Sequence, residues 1–271
     1  MGGVGVYDLD GKTAFVAGGS SGINLGIAEA LAAAGARVGL ISRSAEKIEA
    51  AAAGIRSSGG QAMGLAADVR DHQAVERAMD AVREAYGDLD VVISGAAGNF
   101  LAPAAAMSAN AFKVVVDIDL IGTFNVLHAA FPRLRKPGAS LISITAGQAV
   151  QPMMFQAHAC AAKAGVNMLT KVLAMEWGPA GVRVNAIAPG PIADTEGMSR
   201  LTPTPEAEQA LRGRIPLRDY GSKQDIAEMA LFLSSARARN VTGAIFDCDG
   251  GWILGDASAD ALEGGTPQFR V

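Results

Sequence analysis

The chain has 271 residues, of which 50% are hydrophobic and 18% are charged, and 33 of them are glycine. Its formal net charge is -4 and it has no block of like charges, which excludes nucleic acid and an anionic membrane as expected partners. A chain of this length buries roughly three quarters of its unfolded surface, enough for a single core. We therefore expect one domain over residues 1–271.

The two cysteines, Cys160 and Cys248, do not form a C-x-x-C pair. The N-terminus lacks the charged-then-apolar order of a secretory signal, and no apolar run approaches the roughly 18 residues of a membrane helix. These features predict a reduced, cytoplasmic protein without a membrane span. No group of His, Cys and carboxylate residues has metal-ligand spacing, so no metal is predicted.

Short apolar runs alternate with longer Ala-rich amphipathic runs, which is the rhythm of βαβ units. Strands are predicted near Thr13–Ala17, Arg37–Ile41, Gln61–Ala66, Val91–Ser94, Ser140–Thr145, Arg183–Ala188 and Ala244–Asp247. Helices are predicted near Ile23–Ala34, Ala45–Ser57, His72–Tyr86, Asn110–Leu134, Ala157–Trp177 and Lys223–Ser234. This order predicts an α/β, doubly wound Rossmann fold with a mostly parallel seven-stranded sheet and helices on both faces. Ligands of such folds bind beyond the carboxyl ends of the strands.

Two segments break the rhythm. Residues 189–216 contain Pro, Thr and Glu with weak periodicity and follow the sixth strand, which is where a substrate lid is expected. The tail over residues 252–271 is rich in Gly, Asp and Ala. We expect it either to fray or to pack on another subunit.

A Gly-rich turn follows the first strand and opens a helix, with the sequence Ala17-Gly18-Gly19-Ser20-Ser21-Gly22-Ile23-Asn24-Leu25-Gly26. Glycines let the backbone approach a pyrophosphate, and a helix N-terminus offers free N–H groups and the positive end of the helix dipole. Strand, turn and helix in this order predict a dinucleotide site, with a structural loop as the alternative. Its binding residues are Gly18, Ser20, Ser21, Gly22 and Ile23.

The end of the second strand carries Ser42-Arg43. An acidic residue there would accept hydrogen bonds from the ribose hydroxyls of NAD. A hydroxyl followed by a guanidinium suits the 2′-phosphate of NADP, which arginine can grip with two donors. We therefore predict NADPH (NADP+) as the cofactor, with a merely solvated arginine as the alternative.

From Leu9 to about Trp252, the order of motifs resembles the short-chain dehydrogenase/reductase family. The motifs are the Gly-rich turn, Ala67-Asp68-Val69, Gly95-Ala96-Ala97-Gly98, Lys163, Arg183-Val184-Asn185, Pro189-Gly190-Pro191-Ile192 and Asp247-Cys248-Asp249-Gly250-Gly251. The resemblance implies that Asp68 and Val69 flank the adenine and that Ala97 and Gly98 line the cofactor. It further implies that Pro189, Gly190 and Ile192 lie at the nicotinamide, and that Lys163 binds the nicotinamide ribose.

The chain departs from the usual family pattern at the proton donors. Most members have a tyrosine four residues before the lysine and a serine about a dozen residues earlier, where this chain has Ala159 and Ala146. The asparagine that is usual in the preceding helix is replaced by Asp119. Because alanine cannot donate a proton, reduction of a carbonyl would lose roughly two to four orders of magnitude in rate. Simple ketone chemistry is therefore not expected.

These departures are similar to those of one branch, the 2,4-dienoyl-CoA reductases, especially the peroxisomal type. The matching stretches are Ala96-Ala97-Gly98-Asn99-Phe100, Asp117-Ile118-Asp119, Gly122-Thr123-Phe124-Asn125-Val126, His158-Ala159 and Thr195-Glu196-Gly197. The resemblance implies an acyl-CoA thioester substrate that contacts Asn99 and Phe100. Two features are unlike the branch. Asn24 stands where glycine is usual, and Ser94-Gly95 replaces an asparagine-containing pair.

Reduction of a conjugated C=C bond does not need the missing tyrosine. Hydride adds to the far end of the conjugated system, negative charge collects on the thioester oxygen, and a carbon is then protonated. In the branch an aspartate and the lysine act through water, and their positions match Asp119 and Lys163. The ammonium of Lys163 would stabilise the enolate, and Asp119 with water would deliver the proton. An aspartate that merely pairs with a cation is the alternative.

His158 is a further candidate for substrate contact. It lies about 140° around its helix from Lys163, so a satisfied structural histidine is the alternative. The resemblance implies a homotetramer that pairs the long helices containing Asn110–Leu134 and Ala157–Trp177. Three other functions remain open: a 2-enoyl-CoA or cyclic enoyl thioester reductase, a 3-oxoacyl or ketone reductase with an unrecognised proton donor, and a non-catalytic NADPH-binding protein.

Overall fold

The computed structural model describes residues 7–195, 198 and 202–259. Its centre is a seven-stranded sheet in the order β3-β2-β1-β4-β5-β6-β7, with every neighbouring pair parallel. The strands are β1 (Thr13–Ala17), β2 (Arg37–Ser42), β3 (Gln61–Ala66), β4 (Val91–Ser94), β5 (Ser140–Ile144), β6 (Arg183–Pro189) and β7 (Ile245–Cys248). The predicted doubly wound fold is confirmed, and the sheet is wholly parallel over the described strands.

The helices are α1 (Gly22–Ala33), α2 (Ala45–Ser57), α3 (His72–Tyr86), α4 (Ala109–Val116), α5 (Gly122–Ala130), α6 (Ala157–Trp177), α7 (Pro205–Arg214) and α8 (Lys223–Ser234). The predicted helix over Asn110–Leu134 is interrupted by a π-helical turn, Asp117–Ile121, which joins α4 to α5. A 3-10 turn, Phe131–Arg133, then ends this helical run. The periodicity of apolar residues predicted one helix because it cannot distinguish α-helical from π-helical hydrogen bonding within a continuous helical run.

Each face of the sheet has its own apolar core, and β1 shows how the sequence fills both. Ala14 and Val16 point to the side covered by α1, α2 and α8. Phe15 and Ala17 point to the opposite side, where α3, α5 and α6 pack. Alternate residues of a strand face opposite sides, so a strand covered on both faces must be apolar throughout. That is why the strands read as continuous apolar runs.

The strand order reverses at β1, whose neighbours are β2 on one side and β4 on the other. In sheets of this kind, the loops after the strands on either side of the reversal separate and leave a crevice at the carboxyl edge. The Gly-rich turn follows β1, and residues 95–103 follow β4. The topology therefore brings the predicted cofactor and substrate residues to one edge.

The helical run Ala109–Arg133 has 25 residues and contains an 18-residue window with a mean hydropathy of 1.5, so length and composition alone would allow it to cross a membrane. This corrects the expectation that no apolar run approaches the length of a membrane helix. Half of its apolar window is buried inside the protein. The finding is weak evidence for a membrane span, because a core helix passes the same test.

The predicted lid contains a helix that weak periodicity concealed, α7. Thr204 caps it by accepting a hydrogen bond from the Ala207 N–H at 3.2 Å, and Pro205 occupies the first helical position. Residues 196, 197 and 199–201, which include Glu196 and Gly197, lie outside the described residues.

The tail packs on its own chain as far as it is described. The Asp256 carboxylate lies 3.2 Å from the Arg214 guanidinium, and the Ala257 N–H donates to the Arg214 carbonyl at 3.1 Å. Trp252 and Ile253 pack closely over Gly147, in the loop after β5. Residues 260–271 lie outside the described part of the chain.

Candidate active site

The Gly-rich turn is shaped by close backbone contacts. The Gly18 and Gly19 N–H groups donate to the Ile41 carbonyl at 2.9 and 3.2 Å. Gly18 has φ +81°, and a Cβ there would lie 2.9 Å from the Ala96 backbone, so a side chain is excluded. The Ser21 side chain makes no capping hydrogen bond to α1, which leaves the N–H groups of the first helical turn for a ligand. The turn fits a pyrophosphate.

Ser42 and Arg43 lie beside this turn, at the carboxyl end of β2. The Ser42 hydroxyl donates to the Ser44 carbonyl at 3.3 Å, and the Arg43 side chain is exposed. The Ala67 N–H donates to the Ser42 carbonyl at 2.9 Å, which holds the ends of β2 and β3 together. An exposed cation and a partly buried hydroxyl therefore lie where the adenosine ribose of a dinucleotide would be expected.

Asp68 follows β3 at the same edge, and the sequence analysis missed its partner, Arg70. The Arg70 guanidinium donates to both carboxylate oxygens of Asp68, with the shortest distance 2.6 Å. Hydrogen bonds from Arg70 lower the pKa of Asp68, and the charge of Arg43 adds to the effect. The structure thus places Asp68 close to Arg43, with Val69 next to it. The two-residue spacing of Asp68 and Arg70 was the available signal.

The two features that are unlike the dienoyl-CoA reductase branch lie in contact. The Asn24 side-chain amide donates to the Gly95 carbonyl at 2.8 Å. A Cβ on Gly95 would lie only 1.9 Å from the Asn24 Oδ1 atom. Asn24 therefore occupies the space that any side chain at position 95 would need. One substitution explains the other.

Lys163 lies on α6 and points to the crevice with 8% of the residue exposed. Its ammonium donates to the Ile144 carbonyl at 3.0 Å, at the end of β5. The same Nζ atom lies 3.3 Å from the Asp119 Oδ2 atom. An ammonium has three donors, so one remains for a ribose hydroxyl or a water.

Asp119 lies in the π-helical turn and is only 1% exposed. Its Oδ1 atom accepts a hydrogen bond from the Gly98 N–H at 2.7 Å, and its Oδ2 atom faces Lys163. Because both oxygens face N–H donors, the carboxylate holds the lysine and the loop after β4 in one arrangement. π-turns are rare and frequently occur at functional sites. Ala97 and Gly98 consequently lie beside the charged pair.

The usual proton donors are absent from this arrangement. Ala159 lies in the first turn of α6 and is 4% exposed. Ala146 follows β5, just before a short 3-10 turn. Neither methyl group can donate a proton, and Lys163, one helical turn after Ala159, is paired with Asp119. The polar chemistry of the crevice therefore differs from that expected of a ketone reductase.

Asn99, Phe100 and His158 come together beyond the ends of β4 and β5. The phenyl ring of Phe100 meets the imidazole of His158 edge to face, with ring centroids 4.3 Å apart. The Asn99 Nδ2 atom donates to the Gln156 Oε1 atom at 2.6 Å, and Gln148 Nε2 donates to the same oxygen at 3.3 Å. The sequence analysis missed both glutamines, although Gln156 immediately precedes α6.

Pro189 ends β6, and Gly190 and Ile192 follow it at the same edge of the sheet. The Gly190 N–H donates to the Cys248 carbonyl at 3.0 Å, and a Cβ on Gly190 would lie 2.5 Å from the Asp249 Cα atom. Ile192 is buried and pairs with Gly221 through an isolated bridge. This segment is tightly packed backbone, which can present carbonyl and N–H groups to a flat ring.

Neither cysteine is arranged as a nucleophile. Both thiols are free, and burial raises the pKa of Cys248 to about 11, with Asp247 and Asp249 adding to the shift. Among residues 7–195, 198 and 202–259, no group of three or more His, Cys, Asp and Glu residues is suited to a metal ion.

Comparison with known proteins gives consistent matches. A family profile described as "Enoyl-(Acyl carrier protein) reductase" matches residues 17–253. The chain is 40% identical over 259 residues to the peroxisomal 2,4-dienoyl-CoA reductase [(3E)-enoyl-CoA-producing] of Danio rerio, covering 94% of this chain and 86% of that protein. It is 43% identical over 250 residues to the protein of the same description in Saccharomyces cerevisiae, covering 90% and 85%.

A solved structure extends the match to the fold. A variant of the actinorhodin polyketide ketoreductase, crystallised with NADPH, superposes with a TM-score of 0.84 at 28% identity. The alignment covers 89% of this chain and 97% of that chain. The ligand of this relative is a nicotinamide dinucleotide, the class that the Gly-rich turn accommodates.

The expectation of a cytoplasmic protein is wrong on these comparisons, because the dienoyl-CoA reductases that the chain resembles in sequence are named peroxisomal. Cysteine content reports the redox state of a compartment and does not identify the compartment. Peroxisomal addresses are read by receptors and leave no mark on composition.

The sequence matches, the all-parallel sheet and the site at its carboxyl edge agree. The motif resemblance to dienoyl-CoA reductases is confirmed at 40–43% identity for relatives from several species. The chain therefore belongs to the short-chain dehydrogenase/reductase family and is a nicotinamide-dependent oxidoreductase.

Proposed function

We propose that this protein is an NADPH-dependent reductase of a conjugated C=C bond in an enoyl thioester, with a 2,4-dienoyl-CoA as substrate. The observation that carries the proposal is the buried pair of Lys163 and Asp119, with nitrogen and oxygen 3.3 Å apart, beside Ala159. The pair supplies positive charge and a path for a proton, while the group that would protonate a ketone oxygen is missing. This is the chemistry of enolate formation rather than alcohol formation.

The names of the relatives indicate which carbons react. A (3E)-enoyl-CoA product retains a double bond between C3 and C4. NADPH, when bound, would supply the hydride, and C5 would be the carbon that accepts it. The C4=C5 and C2=C3 electron pairs then shift toward the thioester, and negative charge collects on its oxygen. A proton adds at C2, so one hydride and one proton account for the two hydrogens gained.

Lys163 and Asp119 divide the work of protonation. Lys163 holds the nicotinamide ribose and places a fixed positive charge near the developing enolate, where it is worth more than in water. Asp119 fixes the lysine and orients, beside the positive charge of Lys163, a water that carries the proton to carbon. Asp119 also holds the Gly98 N–H, so the same carboxylate positions the loop that lines the cofactor.

NADPH is proposed over NADH because the 2′-phosphate side of the site is cationic. Arg43 is exposed at the end of β2, and its positive charge contributes to lowering the pKa of Asp68. No acidic residue occupies position 42 or 43 to accept the ribose hydroxyls. Gly18, Ser20, Ser21, Gly22 and Ile23 would hold the pyrophosphate.

The acyl thioester is proposed to enter between the loop after β4 and the segment after β6. Asn99, Phe100 and His158 line the first side. Residues 189–216, with α7, would form the lid on the second side of a single domain. The carrier, coenzyme A, is proposed from the relatives' names, since the sequence has no basic patch evidently committed to its phosphates.

A homotetramer is proposed from exposed apolar side chains on two neighbouring helical runs. Phe112, Ile121 and Phe124 are exposed on the run from α4 to α5. Met168, Val172 and Met175 are exposed on α6, at the spacing of one helical face. Contiguous exposed apolar side chains of this kind mark interaction surfaces.

The first experiment measures NADPH consumption with a short 2,4-dienoyl-CoA, the matching 2-enoyl-CoA and the matching 3-ketoacyl-CoA. Rapid turnover of the dienoyl substrate alone is expected. Faster turnover of the 2-enoyl-CoA would replace the dienoyl substrate by a simple enoyl thioester. Turnover of the ketone would reveal another proton donor, and no turnover with any substrate would favour a non-catalytic NADPH-binding protein.

The second experiment replaces Asp119 by Asn, which removes the charge and keeps the size. Turnover of the dienoyl substrate should fall by roughly 100-fold with little change in NADPH affinity. Asp117→Asn is the matched control, since Asp117 lies in the same π-turn but pairs with Lys113 at 2.5 Å on the outside. Unchanged turnover in the Asp119 variant would remove Asp119 from the mechanism.

A further inference from the structure

His158 combines full burial with an unused hydrogen-bond donor. The residue lies in the first turn of α6 and is 0% exposed. Its Nδ1 atom accepts a hydrogen bond from the Ala159 N–H at 2.8 Å. A ring nitrogen that accepts cannot carry the proton, so the neutral imidazole has its hydrogen on Nε2. The backbone of α6 thus fixes which nitrogen can donate.

The Nε2–H group has no partner among the described residues. Leaving a buried donor unpaired is unfavourable because its hydration is lost without replacement, and such groups are rare in folded proteins. The alternative of a satisfied structural histidine, which the sequence left open, would place a protein acceptor here. The described residues provide none.

The position of His158 relates this donor to the proposed substrate. The edge-to-face ring of Phe100 covers the imidazole, and Phe100 is itself 37% exposed on the loop after β4. The adjacent residue Ala159 is where the family usually has its tyrosine hydroxyl. Phe100 is the exposed member of this ring pair, so rotation of its side chain is the motion that would give a substrate in the crevice access to the imidazole.

Lys163 alone does not provide enough hydrogen-bond donors to stabilise the enolate oxygen. Its ammonium already donates to the Ile144 carbonyl and faces Asp119, and its third donor is needed for the ribose or the proton-carrying water. Negative charge on a thioester oxygen is best stabilised by preorganised donors in a site that excludes water. A second donor is therefore required near Ala159.

We propose that His158 is a catalytic residue whose neutral Nε2–H group donates a hydrogen bond to the thioester oxygen, and that Phe100 is the side chain that turns aside to admit it. This role rests on the proposed function, since it needs a conjugated thioester. No proton is transferred from the imidazole; the hydrogen bond strengthens as charge develops on the oxygen. The histidine takes over the oxygen-facing role of the missing tyrosine without supplying its proton.

The test compares wild-type protein with His158→Phe and His158→Gln. Phenylalanine preserves the aromatic contact with Phe100 but removes the donor, whereas glutamine keeps an N–H donor at similar reach. His72→Gln is the control, since His72 contacts His128 and lies at the start of α3. Thermal melting and NADPH affinity of each variant report folding and cofactor binding.

Two readouts separate a catalytic role from a structural one. The first is kcat with a short 2,4-dienoyl-CoA, which should fall by roughly 100- to 1000-fold in His158→Phe and by less in His158→Gln. The second is the ultraviolet absorption of the dienoyl thioester bound in the presence of NADP+. A donor to the carbonyl oxygen polarises the conjugated system, so this band should shift to longer wavelength in wild type and in the glutamine variant.

The phenylalanine variant should bind the thioester without that shift. If it folds, keeps kcat within about 3-fold of wild type and retains the shift, the role of His158 is overturned. If it fails to fold, the glutamine variant decides, because unchanged NADPH affinity with loss of both kcat and shift would contradict donation from position 158. Absence of dienoyl reduction by wild-type protein would instead overturn the proposed function itself.

Discussion

The cofactor end of the crevice departs from the dienoyl-CoA reductase branch, whereas the reacting end departs from the usual pattern of the whole family. At the cofactor end, a larger side chain at position 24 is matched by the absence of a side chain at position 95. The Asn24 amide fills the space beside Gly95 and donates to its carbonyl at 2.8 Å. At the reacting end, Ala146 and Ala159 stand where the family usually has a serine and a tyrosine. Two hydroxyl groups are therefore absent from these positions. The first departure preserves packing, whereas the second changes the available chemistry.

This difference teaches how a departure from a motif can be interpreted. A substitution that alters shape has to be balanced by its neighbours, because protein interiors are close-packed. A substitution that removes a proton donor also changes volume, but filling that volume with apolar atoms does not restore the lost chemistry. Two substitutions that compensate each other in volume therefore indicate that the backbone keeps its shape and role. The loss of hydroxyl groups without compensation indicates a different reaction.

Restoring the tyrosine should have the largest effect at the reacting end. Ala159→Tyr supplies a hydroxyl next to Lys163, so reduction of a 3-ketoacyl-CoA should rise by roughly 100-fold over the wild-type background. Ala159 is buried, so the variant should also lose about 1–3 kcal/mol of stability. Ala159→Phe adds nearly the same volume without the hydroxyl, and equal ketone reduction by both variants would contradict the role assigned to the missing donor.

At the cofactor end, Gly95→Ala should reduce the free energy of unfolding by about 1–3 kcal/mol, because its Cβ would meet the Asn24 side chain. Asn24→Gly removes that obstacle, so the double variant should recover most of the loss. Urea unfolding of the two single variants and the double variant measures the coupling, expected at about 1 kcal/mol or more. Additive effects would show that the two positions are independent.

Arg43→Asp should alter cofactor choice without altering the reacting end. Loss of a charged hydrogen bond to the 2′-phosphate, at about 1.5–3 kcal/mol, should lower the ratio of kcat/KM for NADPH over NADH by roughly 10- to 100-fold. Arg239→Asp makes the same change of charge at another exposed arginine, before β7. An equal preference for NADPH in both variants would contradict the proposal that Arg43 binds the 2′-phosphate.

The smallest effect is expected for Arg70→Gln. Because Arg70 lowers the folded-state pKa of Asp68, the pair stabilises the protein above the usual carboxyl pKa of about 4. That contribution is lost as the pH falls through the lowered folded-state value. The pair is solvent-accessible and screened, so the variant should lose at most about 1 kcal/mol at pH 7. Urea unfolding should show the difference at pH 7 and a smaller one well below pH 4.

The sequence was sufficient for the architecture because the strands and helices carry strong, regular patterns. The bounds of α3 and α6 coincide with the predicted ranges, His72–Tyr86 and Ala157–Trp177. Helix α7 was missed because its exposed, polar sequence has weak periodicity. Asp119 and Lys163 were named together from the resemblance to the dienoyl-CoA reductase branch, and the fold places their side chains 3.3 Å apart.

Details of the site were less predictable because they depend on side-chain reach across the chain. The contact of Asn24 with Gly95 spans 71 positions, and that of Asn99 with Gln156 spans 57. Neither pair has a fixed spacing that a motif could encode. The unpaired Nε2 atom of His158 was equally hidden, because only the fold shows whether a buried donor has found an acceptor.

The π-turn between α4 and α5 also determines which side chains of this helical run lie on its exposed face. In an uninterrupted α-helix, Phe112 and Phe124 would lie about 120° apart around the axis, whereas one inserted residue brings them to within about 20°. Both side chains are exposed, while Asp119 between them is buried against Lys163. A one-residue deletion within residues 117–121 would therefore change two sides of this helical run at once: Asp119 would move away from Lys163, and Phe112 and Phe124 would no longer lie on one face.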